Sequence, residues 1–83
     1  MVTQQSAPNY RELFGVRLRA LRISAGFSQE ELAHRAGLDR TYVSSCERGR
    51  RNLSLESIVT LAIALGVKPS ELLVGVEQVG DEI

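Results

Sequence analysis

Residues 29–48 read QEELAHRAGLDRTYVSSCER, and this stretch decides the fold. Ala33, Gly37 and Val43 lie 4 and 6 residues apart. Two helices that cross over a tight turn need a small residue at the crossing, and Ala33 supplies it. The turn needs a left-handed backbone, which Gly37 adopts without steric cost. The second helix needs a buried β-branched anchor to fix its roll, and Val43 fits. With Val43 inward, Arg40, Thr41, Ser44 and Ser45 point outward. An ordinary helical hairpin with polar residues facing water would share the glycine, but not the spacing, caps and flanking arginines together.

The periodicity extends outward in both directions. Phe14, Leu18, Leu21 and Ala25 recur at 4, 3 and 4, which predicts a first helix from about Asn9 to Ala25, stopped by Gly26. Ser28 opens the second helix, with Glu31 placed to complete a capping box. Leu32, Ala33 and Ala36 form its apolar face. Asp39 is the N-cap candidate of the third helix, which runs to about Glu47 with Val43 and Cys46 inward. A basic loop follows from Arg48 to Asn52. Ser54 caps a fourth helix whose Leu55, Ile58, Ala62 and Leu65 repeat at 3, 4 and 3. Pro69 starts a short fifth helix carrying Leu72 and Leu73. Val74 to Ile83 reads either as a frayed end or as a helix extension. The expected organisation is all-α: a tail over 1–8, one five-helix domain over 9–74 and an acidic C-terminal tail over 75–83.

Composition narrows the function. A chain of 83 residues is one domain, and one this small buries only about 60% of its unfolded surface, so association with a second copy is a natural remedy. No apolar run approaches the ~20 residues that cross a bilayer. Met1 to Pro8 has neither a basic start nor an apolar core, so it is not read as a signal peptide. A single cysteine, Cys46, forms no internal disulfide, and His34 alone cannot complete a usual zinc site. These features point to a reducing cytoplasm. They also point to no metal and no cofactor. Cys46 reads as a small core filler. No His-bearing triad, carboxylate pair or phosphate-cradling glycine loop argues for an enzyme.

Net charge is zero, yet its distribution is lopsided. Residues 11–51 carry nine arginines against five acids, a balance of +4, and residues 52–83 carry Lys68 against five acids, a balance of −4. One basic and one acidic face follow, and a basic face suits nucleic acid. Recognition helices contact base edges with their N-terminal residues, where Arg40 and Thr41 lie.

The stretch from Phe27 to Leu73 resembles the DNA-binding domain of the lambdoid phage repressor and Cro family. Within it LDRTYVSSCERGRRNLSL is similar to the controller proteins of restriction–modification systems. The resemblance implies a compact five-helix, lambda-repressor-like fold and a double-stranded DNA operator as partner. It further implies autoregulation, timed expression of a restriction endonuclease, and RNA polymerase as an additional partner. Arg40, Thr41, Ser44 and Ser45 would face the bases. Gln29 would donate to a phosphate at the start of the second helix, and Arg48, Arg50, Arg51 and Asn52 would grip backbone phosphates or reach a groove edge near the operator centre. Tyr42 would either contact phosphate through its hydroxyl or pack against the fourth helix. Arg22 and Glu47 match an internal ion pair of this fold. The phage repressors often carry glutamines on the recognition helix, so their base preferences do not transfer to Arg40, Thr41 and Ser45. Two recognition helices read half-sites about one helical turn apart, ~34 Å, which calls for a homodimer. Val59, Ile63, Val67, Leu72, Leu73 and Val76 are a surplus of apolar residues expected at its interface. An antitoxin, or a protein-interaction module using the fold without DNA, are the alternatives.

Overall fold

The computed structural model describes residues 9–76. Residues 1–8 and 77–83, the expected N-terminal tail and most of the expected acidic tail, lie outside the described residues. Five helices follow in order: α1 Tyr10–Ser24, α2 Gln29–Ala36, α3 Arg40–Glu47, α4 Leu55–Leu65 and α5 Pro69–Leu72. Each expected helix forms within two residues of its sequence-derived bounds.

Local chemistry sets the starts. The Asn9 side chain accepts from the Glu12 amide, Ser28 Oγ from the Glu31 amide at 3.0 Å and Ser54 Oγ from the Ser57 amide at 3.1 Å. Such caps contribute about 1 kcal/mol each by satisfying otherwise orphaned N–H groups. Two expectations need correction. Asp39 occupies the N-cap of α3 but its side chain makes no capping bond; its backbone carbonyl takes the Tyr42 and Val43 amides instead. The capping box at α2 is only half made, because the Glu31 carboxylate turns to Arg35 one turn on, at 2.7 Å, instead of back to Ser28. Gly37 closes α2 in the left-handed region, at φ 68° and ψ 33°, as the tight turn into α3 requires.

All five helices contribute to one core. Phe14, Leu18, Leu32, Ala33, Val43, Cys46, Leu61, Ala62, Leu65 and Leu72 are buried. Leu18, Leu32, Leu61 and Leu72 are fully so, and each contributes roughly 1.5–3 kcal/mol relative to exposure. The inward face of α4 differs from the expected one. Leu55, at the first position of the helix, is 72% exposed, and Leu61 takes the central place, one turn after the half-buried Ile58. Ala25, at the C-cap of α1, is likewise exposed, because α1 has already left the core. Leu72 is sealed inside the chain and is therefore unavailable to a partner, contrary to its expected place in a dimer interface.

α1 crosses the end of α3 at very short range. A Cβ built on Gly15 would lie 2.5 Å from the Glu47 carbonyl oxygen and 2.6 Å from that of Cys46. Both obstacles are backbone, so the helices would have to part. Gly15→Ala gains up to about 1 kcal/mol in helix propensity, but overpacking of this kind costs typically 1–3 kcal/mol. The expected result is a net loss of stability, read as a lower urea midpoint. An unchanged or raised midpoint would mean that α1 and α3 are free to separate.

Candidate nucleic-acid interface

The interface begins with what holds α3 still. Val43 is 0% and Cys46 1% exposed, and both point into the core. At about 3.6 residues per turn, this places Thr41, Ser44, Ser45 and Arg48 on the opposite side and Arg40, the first residue of α3, on its flank. Arg40 and Thr41 are exposed and Ser44 and Ser45 half-buried. Among the described residues Arg40 pairs with no carboxylate, so its guanidinium is not held down on the protein surface. Two further arginines, Arg50 and Arg51, follow in the exposed loop before α4.

A buried cluster fixes how the three relevant elements meet. Arg22 of α1 donates from Nε to Glu47 Oε2 at 2.6 Å and from Nη2 to Glu47 Oε1 at 3.1 Å. Its third nitrogen, Nη1, reaches the Phe27 carbonyl at 2.8 Å, in the turn that leads into α2. Gln29, the first residue of α2, donates from Nε2 to Glu47 Oε1 at 3.0 Å. One arginine and one glutamate thus clamp α1, the entry to α2 and the end of α3. The pair was legible in the sequence through the family resemblance. The bond from Gln29 was not, since nothing in the local pattern reports a contact 18 residues away. That bond uses one of the two amide protons of Gln29 and orients the group.

Tyr42 had two possible roles, and the structure contains the packing one. Its hydroxyl donates to Ser57 Oγ of α4 at 3.3 Å. The Arg51 guanidinium lies 5.0 Å from the centre of its ring, within cation–π range. Arg51 is thereby tied to the Tyr42 ring. Asn52 is exposed beside it. On α2, Arg35 stacks over Phe27 at 4.4 Å, a second contact that the sequence pattern did not signal. His34 is exposed. Burial pushes the Cys46 thiol up to about 11; a hydrogen bond with Tyr42 and the charge of Arg51 oppose the rise, and Glu47 adds least to it. The thiolate, which is the reactive form, is therefore scarce at neutral pH. Among the described residues no group of three or more His, Cys, Asp or Glu could hold a metal, and no helix is long and apolar enough to cross a membrane.

Two short helices locked across a glycine turn, the second presenting an arginine at its N-terminus and followed by a basic loop, define a DNA-binding unit of the helix-turn-helix class. A helix-turn-helix family model matches residues 18–72. The control protein C.BamHI of Bacillus amyloliquefaciens is 50% identical over 66 residues, spanning 78% of this chain and 82% of that protein. The control protein C.MunI of a Mycoplasma species is 42% identical over 66 residues, 78% of this chain and 89% of its own. In three dimensions the chain resembles the restriction–modification controller protein C.AhdI from Aeromonas hydrophila, with a TM-score of 0.73 and 55% identity over 75% of this chain and 94% of that one. The chain belongs to the helix-turn-helix family and is a DNA-binding transcriptional regulator.

Proposed function

We propose that this regulator is a controller protein of a restriction–modification system that binds an operator at its own promoter as a homodimer, in the cytoplasm and without catalysing a reaction. The observation that carries this reading is the 42–55% identity with proteins named as controllers over 75–78% of the chain. In this reading Arg40, Thr41, Ser44 and Ser45 face base edges, while Gln29, Arg48, Arg50, Arg51 and Asn52 hold phosphates and Tyr42 keeps Arg51 in place. RNA polymerase is the further partner through which an autoregulator would set the timing of expression. Footprinting on the DNA upstream of the chain's own gene is the direct test. Protection of paired half-sites about one helical turn apart supports the reading, and affinity should fall by orders of magnitude between about 50 and 200 mM salt as arginines release counterions. A flat salt response with no protected site would favour a protein-interaction role instead.

We infer a narrower dimer face than the six apolar residues named from the sequence. Leu55, Val59 and Ile63 recur every fourth residue along α4, and Leu55 and Ile63 are 72% and 73% exposed. Val67 is half-buried beside the core. Leu73 and Val76 line a groove with Ile58, which lies about 100° around α4 from Val59. We therefore place the twofold contact on Val59 and Ile63, with Leu55 at its edge. Ile63→Glu introduces a charge opposite itself across the axis and should weaken the dimer at least tenfold, since burying one such side chain is worth about 1.5–3 kcal/mol. Sedimentation at micromolar concentration checks this, and a strictly monomeric parent protein, with and without DNA, would refute the dimer.

A further inference from the structure

The neutral overall charge of a DNA-binding chain has a physical source in three acids that follow the last described residue. That residue, Val76, lines an open cavity of about 150 Å³. Phe14, Leu53, Ile58 and Leu73 supply its apolar wall, and the exposed Arg11 and Arg51 also line it. Neither arginine pairs with a carboxylate among the described residues. An engineered cavity of about this size accepts a benzene-sized apolar group. Beyond Val76 the sequence continues Glu77-Gln78-Val79-Gly80-Asp81-Glu82-Ile83, with three acids, no cation and two aliphatic side chains. Seven extended residues reach roughly 23–25 Å, so length does not prevent a return to the groove. The composition of this segment is complementary to the groove in both respects: aliphatic against an apolar wall, acidic against two arginines that meet no carboxylate among the described residues.

We propose that residues 77–83 dock over this groove in their own chain, with an aliphatic side chain in the cavity and their carboxylates on Arg11 and Arg51, and that DNA must displace them. Arg51 is then shared between an internal anionic segment and the phosphate backbone. The competition rests on the assignment of Arg51 to the DNA-contacting loop, whereas the docking itself does not. The consequence is regulatory: weak, sequence-independent binding is suppressed, because the apparent affinity scales with the fraction of protein whose arginines are free. A specific operator supplies enough additional contacts to overcome the same obstacle.

A nitroxide attached to Gly80→Cys in the full chain tests the docking without DNA. Buried Cys46, with its thiol pushed up to about 11, stays unlabelled at neutral pH. The expected result is strong broadening of the amide signals of Tyr10, Phe14 and Ile58, lost when Glu77→Gln, Asp81→Asn and Glu82→Gln are combined. Broadening that is absent, that falls on another face, or that arises only between labelled and unlabelled copies would overturn the proposal. The same triple substitution should raise affinity for random duplex DNA three- to tenfold at about 50 mM salt, and by less in an Arg11→Ala background. Docking without any such rise would overturn the competition. Absence of docking in a protein that still protects its operator would overturn this inference alone and leave the DNA-binding assignment standing.

Discussion

Glu47→Ala is expected to leave little folded protein at 25 °C. The Glu47 side chain is 3% exposed and that of Arg22 10%. Three donors converge on the carboxylate, two from Arg22 and one from Gln29. Removing it strands a guanidinium in the interior, and breaking a buried pair in this way costs about 3–5 kcal/mol. Folded proteins hold only about 5–15 kcal/mol in total, and a domain this small lies near the lower end. Urea unfolding followed by circular dichroism would give the size of the loss. Glu31→Ala is the control: it breaks an ion pair whose side chains are 50% and 44% exposed, and exposed pairs one turn apart on a helix are worth only about 0.3–0.5 kcal/mol. If both variants lose the same small amount, the clamp is not what holds α1, α2 and α3 together. The comparison also protects DNA-binding data from misreading, because a Glu47 variant fails to bind by unfolding.

The second large effect separates reading from gripping. Arg40 is the first residue of α3, exposed and unpaired among the described residues. From there a guanidinium can reach guanine O6 and N7, a bidentate contact worth about 1–3 kcal/mol of discrimination. Arg50 lies in the loop after α3, where phosphates are the nearer targets. Arg40→Ala should therefore lower operator affinity roughly 5- to 150-fold more than affinity for random DNA. Arg50→Ala should weaken both about equally and reduce the salt slope by about one unit. Competition binding against operator and scrambled duplexes decides between them. A specificity ratio that survives Arg40→Ala would make Arg40 a backbone contact and move base reading to Thr41, Ser44 and Ser45.

The helices were legible because their signals are local. Caps, terminal glycines and 3–4 spacing act within one or two turns, and Ser28, Gly37, Ser54 and Pro69 each mark a boundary that the structure keeps. What escaped depends on distance. Leu55 fits the periodicity of α4 but precedes the part of that helix that meets the core, whereas Leu61 lies inside it. Leu72 reads as surplus until α5 is seen folded against α4 and α1. The Asp39 side chain has the right chemistry for a cap and makes no such bond; the local pattern gives a position, not a hydrogen bond. The site divides the same way. Its outward residues follow from the roll of α3, which Val43 and Cys46 set. The bond from Gln29 to Glu47 and the stacking of Arg51 on Tyr42 arise only when separate elements meet.

The residues that clamp the fold and those that face outward from α3 are two separate sets. Arg22, Glu47, Val43 and Cys46 carry the architecture, while Arg40 and Thr41 donate to no other side chain among the described residues. If the outward residues of α3 read the bases, as proposed, substitution there rewrites what the helix recognises while the scaffold that presents it stays intact. A lineage carrying this chain could acquire a new target sequence in a few steps, each tolerated by the fold. The vocabulary is free to drift because the grammar is held elsewhere.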